Sequence, residues 1–494
     1  MDWLPCGQRQ SPRSQGSRQA PRSVRHPAAR RTQQAWRSHH SGRVSGQSLP
    51  PPAKQGRGGV TRGPAALPRP PYWKDSRPVV PWTRSQQECE TGSISDEFLR
   101  NACKVRPAIT TSPNGHRTTG PNMKKRVILA GGGHAHLAVL ADWAARPLDN
   151  TERWLVTSSR HTAYSGMLPG WLAGVYRANE LLIDLKPLVE KAGARLVISD
   201  VVGLDVVAKT LSLSSGDEIG FDLLSLATGG ETDISNLATL RDRLLPVRPV
   251  GTFMERWSTF MERTVLTNTV GIAVAGGGAA GVELALGAET AIRRFFRNAR
   301  VSLVTPREGF LSGHAPQART RALDELAKRK IDLHFAQAAG TEGGLLLSNG
   351  HFLPADCVIA ATGSRAPRWL ARSGLACNEN GFVAVGADMR SSSHDFVLAA
   401  GDIIDRIDRN LERSGVHAVK AGPVLAANLR AVVGGTELRQ YQPRRRTLYL
   451  LALGDKRAIL SWGRIVAIGN WVWRIKDWID RSFVGRYTDP VRHG

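Results

Sequence analysis

The chain has 494 residues, 41 % of them apolar, which is a globular composition and enough for two or three domains. Its formal net charge of +25 is uneven: residues 1–122 hold 20 basic and 6 acidic side chains, the remainder 47 and 36. Five cysteines without a CxxC pair argue against a disulfide framework and a zinc site, and no run of 18 or more charge-free apolar residues offers a membrane span.

Residues 1–122 are rich in Arg, Ser, Gln and Pro and lack apolar periodicity. Such a segment buries too little apolar surface to offset the entropy of ordering it, so a disordered basic extension is expected. Asp2 is the only acid before Asp75, a bias that resembles an organellar transit peptide. An upstream stretch without a role and a nucleic-acid-binding arm are the alternatives; the reading adopted has no nucleic-acid partner. Met123 stands directly before KKRVILAGGG and is the expected functional start.

From there the pattern becomes regular. Residues 126–130 (RVILA) form a continuous apolar run, as in a buried parallel strand. Gly131, Gly132 and Gly133 follow, then a helix in HAHLAVLADWAAR and a strand in WLVTS. Short strands are predicted across 195–227 (RLVIS, DVVGLDVV, TLSLS, LLSLATG), with SSGDE as a turn, and are read as a small antiparallel meander. The order then restarts: strand 271–275, Gly276 to Gly281, a helix in VELALGAETAIRRFF, strand RVSLVTP, helix then strand in LDELAKRKIDLHFAQ, a hairpin turning at Asn349-Gly350, and a strand into a second ATG. FVLAAGDI gives one more strand, GPVLAANLRAVVGG a helix from about Gly422, and a Trp-rich tail runs from 440.

Two Gly-rich loops that each follow a strand and open a helix have the physics of pyrophosphate binding. One glycine makes the turn, another lets the backbone approach the phosphates, and these sit at the positive helix end. The second loop has all three glycines, Gly276, Gly278 and Gly281; the first has Gly131 and Gly133 but His136 in the third place. The acid that usually ends the second strand is absent from both units. Thr157-Ser158 stands in the first and Thr305-Pro306-Arg307 in the second, where Arg307 either receives a 2′-phosphate, favouring NADPH, or is a surface residue. ATG closes each unit, at Ala227-Thr228-Gly229 and Ala361-Thr362-Gly363, and Asp402 ends the strand in LAAGD.

This combination resembles the pyridine nucleotide-disulfide oxidoreductase superfamily over roughly residues 123–435. GGGHAHLAVL, YSGMLPGWLAG, LATGGETD, HAVKAGPVLAANL and the tail LYLLALGDKRAILSWG are similar to FAD-dependent oxidoreductases related to the N-terminal domain fused to bacterial selenide, water dikinases, with type II NADH dehydrogenases as distant relatives. The resemblance implies an α/β fold of two Rossmann-like domains, the second inserted in the first: FAD-binding 123–243 and 366–435, NAD(P)-binding 244–365, and an α+β tail over 436–494. It implies that Gly131, Gly133 and Asp402 bind FAD and that Gly276, Gly278 and Gly281 bind NAD(P)H; His134, Ala135, Thr228, Gly229 and Gly401 are further candidate cofactor contacts, as are Gly363 and, in the 2′-phosphate reading, Arg307. Gly422 and Pro423 would start a helix aimed at the flavin, with His417 and Lys420 ahead of it. Tyr164, Glu283 and Lys420 are the candidate catalytic residues: Tyr164 beside the flavin, Glu283 near the nicotinamide, Lys420 as a nearby cation.

The expected reaction is hydride transfer from NAD(P)H to FAD and onward to a small-molecule acceptor, with a quinone leading because no dithiol pair is present. A sulfur or selenium oxidoreductase using Cys357 and Cys377, and a non-enzymatic FAD-binding regulatory subunit, are the alternatives. In the tail, Trp471, Ile475, Trp478, Ile479 and Phe483 recur at helical spacing among Arg474, Lys476 and Arg481. That is an amphipathic helix, seated either on a membrane surface or on the protein's own domains or a second copy in a homodimer. The expected location is the cytoplasm or the inner face of a membrane, with organellar targeting left open.

Overall fold

The computed structural model describes residues 124–264, 269–296 and 298–488; the expectations for 1–122 and Met123 lie outside them. Two five-stranded parallel sheets form the frame. Each is built on a strand buried along most of its length, Lys125–Ala130 and Thr269–Ala275. A strand buried on both faces needs cover on both sides, which is the setting of parallel sheets. The first sheet runs Val397–Ala399, Leu223–Leu226, Lys125–Ala130, Thr151–Thr157, Arg195–Ile198; the second runs Leu244–Pro246, Cys357–Ala360, Thr269–Ala275, Asn298–Thr305, Asp332–Phe335. The Gly-loop strand is central in both.

Each sheet has a three-stranded antiparallel meander: Val201–Asp205, Thr210–Leu213 and Glu218–Gly220 for the first, Ala338–Thr341, Gly344–Leu347 and Phe352–Pro354 for the second. The wider meander expected over 195–227 is corrected. Arg195–Ile198 pairs parallel with Thr151–Thr157, and Leu223–Leu226 pairs parallel with Lys125–Ala130. Short apolar strands look alike in both settings, so periodicity cannot separate them. The two crossings between the sheets lie side by side, with Glu231–Thr232 antiparallel to Ser364–Arg365 and Arg365 donating to Glu231 at 2.7 Å. Helix Val250–Thr264, not anticipated from the pattern, buries Phe253, Trp257 and Met261.

Three longer helices frame the loops: the first loop helix His134–Ala145, the second loop helix Ala279–Ile292, and a long helix Gly415–Gly434. The last corrects the expectation of a start at Gly422-Pro423. His417 and Lys420 lie inside the helix, and Pro423 is interior. Glycine, histidine and lysine in the opening turns carry no apolar period, and Pro423 suggests a helix start. Gly422 serves a crossing instead: a Cβ there would lie 2.8 Å from Ala138 Cβ and 3.0 Å from Ala135 O, on the first loop helix.

The tail forms strands Leu448–Ala452, Ala458–Trp462 and Ile465–Gly469, then a tail helix Asn470–Thr488. Its sheet is clamped to the second unit, where Arg457 holds Glu325 at 2.7 Å and Arg329 holds Asp455 at 2.7 Å. The expected apolar stripe is divided. Val472, Trp473, Lys476, Asp480, Phe483, Val484 and Tyr487 are buried, while Trp471 (53 % exposed), Ile475 and Trp478 (69 %) face outward. Among the described residues no helix is long and apolar enough to cross a membrane.

Candidate functional site

The two Gly-rich loops share the same backbone hydrogen bonds at their strand ends. Gly131 N donates to Val156 O (2.7 Å) and Gly276 N to Val304 O (2.8 Å). Ala227 N donates to Ala130 O and Ala361 N to Ala275 O, each at 2.8 Å, so each ATG segment is locked against its loop. Gly131 (φ 98°) and Gly276 (φ 120°) take a backbone that side chains rarely adopt, and a Cβ would meet Ala227 O at 2.5 Å and Ala361 O at 2.2 Å. Thr157 and Thr305 occupy the same place in the two units, pressed on the middle glycines Gly132 and Gly277.

The third position differs. In the second loop Gly281 packs so closely that a Cβ would fall 1.8 Å from Gly276 O. In the first, His136 fills the place fully buried, with Nδ1 on Gly131 O at 2.6 Å and Nε2 on Ser225 Oγ at 2.8 Å. A carbonyl can only accept, so Nδ1 carries the proton and Nε2 accepts from the Ser225 hydroxyl. Burial pushes this imidazole down to about 4, against a weaker upward pull from the Gly131 carbonyl.

The resemblance-derived residues around the first loop come together, with additions that no motif signalled. Asp402 pairs with Arg248 at 2.8 Å. Burial lowers the pKa of His134, opposed by the Asp402 charge and the Ala163 backbone. Tyr164 stacks on Phe483 of the tail helix (ring centroids 4.4 Å apart), and His134 stands edge-on to both at 5.5 and 5.8 Å. The segment after Tyr164 is not an open loop but a 3-10 turn, Ser165–Met167, followed by the fully buried helix Leu168–Leu172. Ala135 is buried under Gly422. Thr228 is exposed, and Gly229 and Gly363 have open space where a side chain would project. Gly401 (φ 83°) is 3.5 Å from Ala418 at its Cβ position, on the long helix.

The candidate catalytic residues have different surroundings. Glu283 turns towards the tail: Oε1 accepts from Ala452 N at 2.7 Å, and burial pushes its carboxyl up to about 7 while the Lys476 charge pulls it down. Lys420 is exposed on the long helix, its pKa lowered by partial burial and by Arg444. His417 Nδ1 lies 3.1 Å from Tyr441 Oη. Arg307 is exposed and lies flat over the Phe335 ring, 4.2 Å from its centroid. Cys357 is buried in the second sheet and Cys377 packs beside the other core, each thiol pushed up by burial. The structure does not bring them together.

The residues present fit two dinucleotides. The first and second loop helices and the long helix have no side-chain cap and no acid in their opening turns, so their positive ends are available to anionic groups. His134 Nε2 and Ser414 Oγ are buried polar atoms without a partner beside the first loop and at the start of the long helix, and space is open over Gly278.

The pyridine nucleotide-disulphide oxidoreductase family description matches residues 125–422. The chain belongs to this family. Its members bind FAD and use NAD(P)H. A similar curated protein is the peroxisomal monodehydroascorbate reductase 1 of Oryza sativa subsp. japonica, 28 % identical over 260 residues, 48 % of this chain and 49 % of that protein, so the match spans about half the length of each. Among solved structures, the sulfide:quinone oxidoreductase of the hyperthermophilic bacterium Aquifex aeolicus shares the fold (TM-score 0.63, 17 % identity, 74 % of this chain and 92 % of that one). So does an NAD-dependent persulfide reductase of A. fulgidus (TM-score 0.58, 17 % identity, 71 % and 66 %).

Proposed function

We propose that this protein is an NAD(P)H-dependent flavoprotein oxidoreductase whose second acceptor is a quinone taken up at a membrane surface. The observation that carries the reading is the placement of the tail helix. Its inner face seats Phe483 on Tyr164 and His134 beside the first Gly loop, while Trp471, Ile475 and Trp478 face outward next to Arg474. An exposed tryptophan face with interleaved arginine is suited to the lipid headgroup region. Cys357 is buried and Cys377 half-buried, in different cores and each with its thiol pushed up by burial, so they are poor candidates for a thiol outlet, since the thiolate is the reactive form.

In this reading Gly131, Gly133 and the amides opening the first loop helix hold the FAD pyrophosphate, with His134 Nε2 and Asp402 as polar contacts and Arg248 fixing the position of the Asp402 carboxylate. Thr228, Gly229 and Gly401 leave room along the cofactor, and the uncapped end at Ser414 favours negative charge on it. Gly276, Gly278 and Gly281 do the same for NAD(P)H. Bound FAD supplies two-electron chemistry between the nucleotide and the acceptor. The protein orients the two and excludes water.

The first test is the visible spectrum of the purified full chain before and after anaerobic NADH or NADPH, followed by a short-chain quinone. A flavin band that bleaches and returns with quinone supports the proposal; a band that neither nucleotide bleaches removes it. Arg307, pre-stacked on Phe335, is proposed to receive a 2′-phosphate. Arg307→Ala is then expected to raise KM for NADPH about tenfold to a hundredfold, the value of one or two charge-assisted hydrogen bonds, with little change for NADH. An equal change for both nucleotides would return Arg307 to the surface. Trp471→Ser with Trp478→Ser should weaken partition onto anionic phospholipid vesicles on the order of a hundredfold, from about 3 kcal/mol of lost apolar burial. Unaltered co-sedimentation would leave the membrane surface without support.

A further inference from the structure

A groove beside the tail helix shares no residue with the two Gly-rich loops. It has about 300 Å³ of open volume and is lined by Val175, Lys456, Asn470, Trp473, Arg474 and Asp477. Trp473 gives it a fixed wall, buried and stacked on Tyr176 with ring centroids 5.7 Å apart. Arg481 also lines it but is committed, holding Asp477 at 2.9 Å and Glu180 at 2.8 Å. Asp477 accepts from Tyr176 Oη as well, at 2.7 Å. Asp455, next to Lys456 in the chain, is held by Arg329 (2.7 Å) and Arg457 (2.8 Å).

Lys456 and Arg474 are left over. Both are exposed, and among the described residues neither side chain has a hydrogen bond or an ion pair. A lone surface cation is ordinary, but two features set this pair apart. The two come from different elements, the turn between strands Leu448–Ala452 and Ala458–Trp462 and the tail helix, and line one groove. Lys456 also holds a left-handed backbone (φ 61°) where glycine would be less strained, so the turn itself does not call for lysine. With Arg481 set against Asp477, the lining keeps an excess of two positive charges.

We propose that this groove binds a phosphate monoester, with its phosphate between Lys456 and Arg474 and its organic part against Val175 and Trp473. Two free cations match the charge of such a group, about −1.5 to −2 at pH 7. Arginine offers a fork that fits two phosphate oxygens, lysine a compact point charge. Asn470 adds an amide that donates to a third oxygen. The groove holds about ten times the volume of one water in the liquid, which leaves room for the organic part. A soluble phosphate ester and a phospholipid headgroup share this chemistry. The headgroup is a source because Trp471, Ile475 and Trp478 flank Arg474 on the outward face of the tail helix. The site does not depend on which acceptor the flavin serves.

The test titrates glycerol 3-phosphate into the flavin-loaded full chain by calorimetry, in excess NAD⁺ so that the dinucleotide cradle is filled. Lys456→Ala and Arg474→Ala should each weaken binding about tenfold or more, the value of a charge-assisted hydrogen bond. Arg474→Lys, which keeps the charge but not the fork, should fall between. Neither side chain has a bond to lose, so urea midpoints and flavin bleaching by NADH should match wild type. A second arm measures co-sedimentation with phosphatidylcholine vesicles, with and without phosphatidic acid, which carries the same monoester. Arg464→Ala, which removes an exposed cation outside the groove, is the control for general charge. Dependence on Lys456 and Arg474 in the soluble titration identifies a soluble ester; dependence confined to phosphatidic acid, and greater than that of Arg464→Ala, identifies a headgroup. Trp471→Ser with Trp478→Ser should weaken vesicle binding and leave glycerol 3-phosphate binding in place, which keeps this site separate from the membrane reading. Binding that is absent in both arms, or that Lys456→Ala and Arg474→Ala lower no more than Arg464→Ala does, overturns the site.

Discussion

Gly281→Ala is expected to abolish NAD(P)H-dependent bleaching of the flavin while leaving the flavin bound. The new Cβ would fall 1.8 Å from Gly276 O and 2.8 Å from Gly276 C, both backbone atoms. Gly276 cannot retreat, because its N–H is bonded to Val304 O at 2.8 Å and its own Cβ position lies 2.2 Å from Ala361 O. Relief therefore requires the helix to lift from the strand, which breaks the cradle where the pyrophosphate would lie. The cost is about 3 kcal/mol or more, at the upper end of overpacking effects. Equilibrium dialysis of NADH and NADPH, with a urea midpoint beside it, measures both parts. A variant with wild-type nucleotide affinity would mean that this loop is not the NAD(P)H cradle.

The second large effect is acid destabilisation through His136. Its ordinary pKa of 6.5 falls to about 4 in the folded chain because the ring is buried. Between those values the unfolded chain binds a proton that the folded chain refuses. Stability therefore falls as pH drops through the window from about 6.5 to about 4, by at most about 3 kcal/mol, and this group contributes no further loss below it. His136→Ala removes the bonds to Gly131 and Ser225 and leaves a cavity, about 2–4 kcal/mol at pH 7. Urea midpoints of the two proteins should thus converge as pH is lowered from 7 towards 4. Parallel curves would show that His136 does not set the acid limit.

The contrast between these two positions shows what a motif conveys. Third place in a Gly-rich loop is Gly281 in one unit and His136 in the other. From sequence, His136 is a blemish in the pattern. In the fold it replaces close helix–strand contact with a side-chain bridge to Ser225, on the neighbouring strand and 89 residues away. The long helix gives a second case. Its start at Gly415 was hidden because its opening turns show no apolar period, and Gly422, which resembles a helix start, marks instead the crossing with the first loop helix.

By itself the sequence determined the repeated strand–loop–helix units, the glycines that shape them, the two ATG segments and the membership of a dinucleotide-binding family. These depend on local rules: a buried strand must be apolar throughout, a positive φ calls for glycine, and a helix opening follows within a few residues. Only the tertiary structure decided which short strands joined the parallel sheets, that Arg248 meets Asp402, that Phe483 closes over Tyr164 and His134, that Lys476 reaches Gly166, and that the Ala452 amide meets Glu283. Each of these joins residues far apart in the chain. Burial and mutual charge exist only after the tail has folded back over both units, so no local pattern of residues could carry them.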